Sequence, residues 1–104
     1  MRNFSIKEIE FISCKEGSFI FPREPILTLK GKIGYMILIE APVLALLHLS
    51  ISTSTQAFLL SYYSNLPISE MGIRKACEPE AAYITSYFAM LNGFKSTSNV
   101  LINY

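Results

Sequence analysis

The sequence carries little charge. Of its 104 residues only 16% are Asp, Glu, Lys or Arg, nine basic against eight acidic, for a formal net charge of +1. The basic residues are scattered, and no aromatic residues interleave with them on a strand face. A nucleic-acid surface, which needs a basic patch or stripe, is therefore excluded as a function class. Cysteine is scarce as well. Cys14 and Cys77 stand far apart, with no second Cys or His at ligand spacing. No metal site is expected, and both thiols read as reduced residues of an intracellular chain. The single histidine, His48, sits in a leucine-rich stretch and reads as a packed or partly solvated helix residue. The motifs GxxxxGK, GxGxxG, HExxH and GxSxG are all absent, which removes the chemistries built on them. Residues 1–16 contain Arg2, Lys7, Glu8, Glu10, Lys15 and Glu16. They hold no uninterrupted apolar run, so no secretory leader is expected and the expected location is cytoplasmic.

What the chain has in abundance is apolar surface. Hydrophobic residues make up 51% and the mean hydropathy is +0.36, whereas an ordinary soluble domain carries about 25% charged residues. A domain of this size buries only roughly 60–65% of the surface of its unfolded chain. Much apolar surface is left over, the pattern of a slice of a larger protein or of a subunit that needs a partner. The most apolar stretch, Tyr35 to Ile51, is interrupted by Glu40, Pro42 and His48. A bilayer span needs about 20 mostly apolar residues, and a central carboxylate costs roughly 2.5–3.5 kcal/mol on insertion. A membrane span is not expected.

Local patterns predict an alternation of strands and helices. Ser18–Phe21 reads as a short strand, Pro22 and Pro25 as an extended or turning segment, and Ile26–Lys30 as a strand. Ile33–Ile39, β-branched and aromatic, reads as a buried strand. Glu40-Ala41-Pro42 is expected to open a long helix, with proline in the first turn where its missing N–H is not needed. This helix would run to Tyr62 or Tyr63, with Leu44, Leu47, Ile51, Thr55, Phe58 and Tyr62 on one face. Ile68–Ala76 reads as a strand interrupted by Gly72. A second helix starts at Glu78-Pro79-Glu80, with its acids at the positive end of the helix dipole, and stops at Asn92-Gly93. Ser96–Asn99 reads as a polar loop and Val100–Ile102 as the start of a strand.

Three stretches carry a family resemblance: Phe21-Pro22-Arg23-Glu24-Pro25, Glu70-Met71-Gly72-Ile73-Arg74-Lys75-Ala76, and Gly93-Phe94-Lys95-Ser96-Thr97-Ser98-Asn99-Val100. In order and spacing they resemble nicotinate phosphoribosyltransferases. The resemblance covers roughly Gly17 to Leu101. In the family, the Glu-Phe/Met-Gly-x-Arg-Arg stretch lies at the active site and its first arginine helps hold the nicotinate carboxylate. The resemblance therefore makes Arg74 a substrate-binding residue, a role that suits a guanidinium because it meets a carboxylate with two parallel hydrogen bonds. It sets Met71 against the pyridine ring. It gives Thr97 and Ser98 to the loop where nicotinamide-using enzymes carry an acidic residue. A carboxylate there would repel anionic nicotinate, so a neutral hydroxyl favours the nicotinate branch. Without the resemblance, Arg74 reads as a surface residue pairing with Glu78 or Glu80, and Thr97-Ser98-Asn99 as a capped turn.

The sequence departs from the family pattern at Lys75, which keeps the charge of the second arginine but not its fork, and at Ala81 and Ala82, where the family has glycines. The stretch with the family's catalytic histidine is not matched, so no catalytic residue is assigned. The fold class expected is α+β. Residues 1–66 would form an N-terminal antiparallel strand region with a long helix, and residues 67–104 the opening strand–helix–strand of an incomplete α/β barrel, since a closed barrel takes about 250 residues. The resemblance implies transfer of phosphoribose from phosphoribosyl pyrophosphate to nicotinate, with ATP and Mg2+ involved and none of them bound tightly here. It also implies nicotinate as the small-molecule partner; the protein partners expected are a second copy of the chain, in a homo-oligomer, or a full-length homologue. The alternatives are a catalytically inactive remnant or interaction fragment, and a small membrane-associated protein.

Overall fold

The computed structural model describes residues 9–102. Helices, an antiparallel strand pair and a parallel strand pair together make the class α+β. Contacts within the chain fall into two compact units, Met1–Val43 and Leu44–Tyr104.

The first unit is built on a hairpin. Strand β1 (Glu10–Ser13) pairs antiparallel with β2 (Leu27–Lys30), Glu10 opposite Lys30 and Ser13 opposite Leu27. Glu10 and Lys30 form an ion pair at 3.5 Å, and the Cys14 N–H extends the ladder to the Ile26 carbonyl at 3.0 Å. Ser18–Phe21 is not a strand. Phe21-Pro22-Arg23-Glu24 closes a turn with the Glu24 N–H on the Phe21 carbonyl at 3.1 Å. Proline supplies the second position and Arg23, at φ 75°, the third, the dihedral pattern of a type II turn. The Glu24 carboxylate takes the Phe21 N–H at 2.8 Å, so both backbone groups that Phe21 would offer to a strand are already bound.

Helix α1 (Ile33–Tyr63) has 31 residues, roughly 46 Å at 1.5 Å per residue. Its C-terminus is where the sequence puts it, but its start is not. Ile33–Ile39 is its first two turns rather than a strand, and Pro42 lies inside it. A short apolar run does not distinguish a buried strand from a helix by periodicity. The Lys32 carbonyl accepts from the Tyr35 and Met36 N–H groups at 2.9 and 3.2 Å, which starts the helix a full turn and more before Pro42. Along α1 only Ala57 is buried among the described residues, and Leu44 and Tyr62, on the expected packing face, are exposed. By length and composition α1 could cross a bilayer, as apolar core helices of soluble proteins also could, and its most apolar stretch is not buried.

The second unit contains a parallel β–α–β step. β3 (Ser69–Glu70) leads through a 3-10 turn, Ile73–Lys75, into α2 (Pro79–Leu91), and the chain returns to β4 (Ser96–Thr97). Ser69 lies opposite Ser96 and Glu70 opposite Thr97. α2 starts with proline in its first turn and Glu80 beside the helix N-terminus, as expected. It ends at Gly93, φ 108°, with the Phe94 N–H on the Ala89 carbonyl at 3.2 Å and the Gly93 N–H on the Met90 carbonyl at 3.3 Å. Only glycine adopts this cap without strain, and here a side chain would also meet the Ser61 Cβ at 2.9 Å. α2 buries a stripe of small residues, Ala82, Ser86 and Ala89. Val100–Ile102 is not a strand: Asn99 captures the Leu101 N–H with Oδ1 and the Ile102 N–H with its carbonyl, both at 3.1 Å, and turns the chain. The strand is the polar pair Ser96–Thr97 instead.

Large apolar side chains stay uncovered throughout, among them Ile33, Tyr63 and Leu66, each 76% exposed. Apolar exposure of this extent drives association. The 104-residue chain in dilute buffer is expected to self-associate, and light scattering on a dilution series checks it. A concentration-independent monomer would mean that the apolar faces find cover within the chain.

Candidate functional site

The two motifs meet because their strands are parallel neighbours. The chain leaves β3 at Glu70 into Met71, Gly72 and the 3-10 turn that carries Arg74. It leaves β4 at Thr97 into Ser98 and Asn99. The Ser98 N–H donates to the Glu70 carbonyl at 2.9 Å, which joins the two exits directly. Both motifs thus stand at the carboxyl ends of adjacent parallel strands, where α/β proteins present ligand groups.

At this edge Met71 is 60% exposed, and Arg74 and Ser98 are exposed. Among the described residues Arg74 is paired with no carboxylate, so the ion pair with Glu78 or Glu80 that its surface position suggests is not formed. Thr97 is half-buried and faces inward: its Oγ1 donates to the Glu70 carboxylate at 2.6 Å and accepts the Asn99 N–H at 3.1 Å.

Beneath the edge lies a polar cluster. Glu70 is 7% exposed, Ser86 1% and Asn99 2%. The Glu70 Oε1 accepts the Gly72 N–H, and its Oε2 accepts the hydroxyls of Thr97 and of Ser86, the latter at 2.8 Å. The Asn99 Nδ2 donates to the Ser86 Oγ at 3.2 Å and to the Ala82 carbonyl at 3.5 Å. Burial pushes the Glu70 carboxyl up, but the bonds from Thr97, Gly72 and Ser86 outweigh it and hold the group below its ordinary value of 4.5. Glu70 opens the first motif, and no role for it follows from the sequence alone. The available signal was a lone carboxylate two residues before a glycine at a strand end, with a serine on the small-residue stripe of the following helix.

An open cleft of about 440 Å3, lined by Ser61, Asn65, Ile68 and Lys95 among others, lies at the opposite, amino ends of the strands. Neither Arg74 nor Ser98 contributes to it. Among the described residues no three His, Cys, Asp or Glu side chains gather as a metal site would require.

No protein-family model matches the chain, and no solved structure matches it. Curated proteins do. Nicotinate phosphoribosyltransferase 2 of Arabidopsis thaliana is 31% identical over 102 residues, 96% of this chain and 18% of that protein. Nicotinate phosphoribosyltransferase of Homo sapiens is 32% identical over 103 residues, 97% of this chain and 19% of its own length. That of Caenorhabditis elegans is 33% identical over 88 residues, 83% of this chain and 16% of its own length. The chain thus spans less than a fifth of the curated relatives it matches. The family to which these residues are related is that of the nicotinate phosphoribosyltransferases, and they correspond to one segment of it.

Proposed function

We propose that this chain forms the nicotinate-binding edge of a nicotinate phosphoribosyltransferase acting in cytoplasmic NAD salvage. In that reaction the ring nitrogen of nicotinate forms a bond to C1 of the ribose as the bond from C1 to pyrophosphate breaks. The products are nicotinate mononucleotide and pyrophosphate, with ATP hydrolysis coupled to the step. Arg74 grips the substrate carboxylate with its planar fork. Met71 lies against the ring, and Ser98, with Thr97 behind it, walls the pocket without adding negative charge. Among the described residues no three carboxylates gather as a site for Mg2+. One observation carries the reading: the two resembling motifs converge at the carboxyl ends of paired strands, with Arg74 free of any internal carboxylate partner among the described residues.

The test is a chimera in which this chain replaces the matching segment of an active relative. Ser98→Asp is expected to lower kcat/KM for nicotinate about tenfold more than for nicotinamide, because a carboxylate in the pocket repels only the anionic substrate. Equal losses on the two substrates would remove Ser98 from the specificity wall. A second reading, an interaction fragment without catalysis of its own, is favoured by the uncovered length of α1. A chimera with no activity, beside an active parent, would favour it.

A further inference from the structure

We propose that Glu70 is a positioning residue for nicotinate binding: its buried carboxylate latches the turn that presents Arg74 to the turn that presents Ser98. This rests on the reading of the edge as the nicotinate site. The carboxylate collects one donor from each of three places, the Gly72 N–H after β3, the Ser86 hydroxyl on α2 and the Thr97 hydroxyl on β4. These are the elements that carry or flank the two ligand turns.

The polarity of the network allows only a full acceptor at this point. A hydroxyl has one proton. The Ser86 Oγ accepts from the Asn99 Nδ2 and gives its proton to Glu70, while the Thr97 Oγ1 accepts from the Asn99 N–H and also gives its proton to Glu70. With Gly72, every donor points inward at the carboxylate. A glutamine of the same shape would set its own N–H2 against either the Gly72 N–H or the two hydroxyls, donor facing donor. An aspartate would be one methylene short. Gly72 bears on the same bond. Its backbone, φ −92° and ψ −2°, suits any residue, and a Cβ there would come 2.9 Å from the Glu70 Oε1. An alanine at this position would therefore act on the carboxylate, by pushing it back from the amide, rather than on the fold of the turn.

Two measurements test the latch. In the full chain, Glu70→Gln is expected to speed hydrogen exchange at the Gly72 and Ser98 amides at least tenfold while interior α2 amides stay protected. General loss of protection across α2 would make Glu70 a structural residue only and overturn the proposal. In the chimera, Glu70→Gln is expected to raise the nicotinate KM about tenfold and leave the KM for phosphoribosyl pyrophosphate within about twofold. Gly72→Ala and Ser86→Ala should shift the nicotinate KM in the same direction by smaller factors, and they serve if Glu70→Gln does not fold. Because the latch acts through Arg74, Glu70→Gln should add little to Arg74→Ala, whereas multiplicative losses would overturn the coupling. If Arg74→Ala leaves the nicotinate KM unchanged, the site reading fails. If Arg74→Ala raises it and Glu70→Gln, Gly72→Ala and Ser86→Ala do not, only the latch fails.

Discussion

Arg74→Ala, in the chimera that carries these residues in a complete relative, is expected to raise the nicotinate KM about 30-fold or more. Losing one partner of a desolvated, hydrogen-bonded charge pair costs roughly 2–5 kcal/mol, and each 1.4 kcal/mol is about tenfold in affinity. Within this chain Arg74 has what such a role requires. It sits on a turn at the end of β3, its side chain is exposed, and no carboxylate among the described residues neutralises it. The adjacent Lys75 does not replace it: an ammonium keeps the charge but cannot make two parallel bonds to a carboxylate. Arg74→Lys should therefore fall between wild type and Arg74→Ala. Nicotinamide, which has no charge to pair, should respond weakly to both. Steady-state kinetics on the two substrates checks this. A nicotinate KM within about twofold of wild type, a shift well under 1 kcal/mol, would make Arg74 a surface residue.

The parts of this fold that were legible in the sequence are those fixed by neighbours. The start of α2 at Glu78-Pro79, its stop at Asn92-Gly93, the end of α1 at Tyr63 and the strand through Leu27–Lys30 follow from caps, turn residues and alternation within a few positions. What misled was local signal with two solutions. Ile33–Ile39 has strand composition, but its residues continue a helix already begun at Lys32. Pro42 reads as a first-turn proline when only its surroundings on the C-terminal side are weighed. Val100–Ile102 has strand composition too, and one asparagine side chain turns it instead. The candidate site divides in the same way. Met71, Arg74 and Ser98 could be named from motifs, since each motif is contiguous. Glu70 could not be given its role, because its partners Ser86 and Thr97 lie 16 and 27 residues away and are brought to it only by the parallel pairing.

That dependence makes Glu70→Ala the substitution expected to cost the second unit most. It removes the acceptor of the Ser86 and Thr97 protons and the partner of the Gly72 N–H. Ser86 is 1% exposed, so water does not replace the lost bond there without opening the structure. A buried donor left unsatisfied costs about 1–3 kcal/mol, and one buried hydroxyl with a half-buried hydroxyl and a half-buried amide, each costing less, come to roughly 3–6 kcal/mol by that scale. Whole domains are stable by only about 5–15 kcal/mol. The core here is poor in apolar bulk, Ala57, Ala82, Ala89 and Ile102, and has little with which to offset the loss. Acid should reproduce part of the effect in wild type. The folded Glu70 carboxyl lies below its ordinary value of 4.5, so the unfolded chain takes up the proton more readily. The stabilisation is complete above that value and is lost as pH falls through the folded one. Hydrogen exchange at the Gly72 and Ser98 amides reads both effects, and it does so by local opening even in a chain that self-associates. In wild type these two amides should lose protection below pH 4.5, and in Glu70→Ala they should exchange fast at neutral pH with no further loss from this group in acid. Full protection of both amides in Glu70→Ala at neutral pH would mean that the small-residue packing of α2, not the carboxylate, holds the two strand ends together.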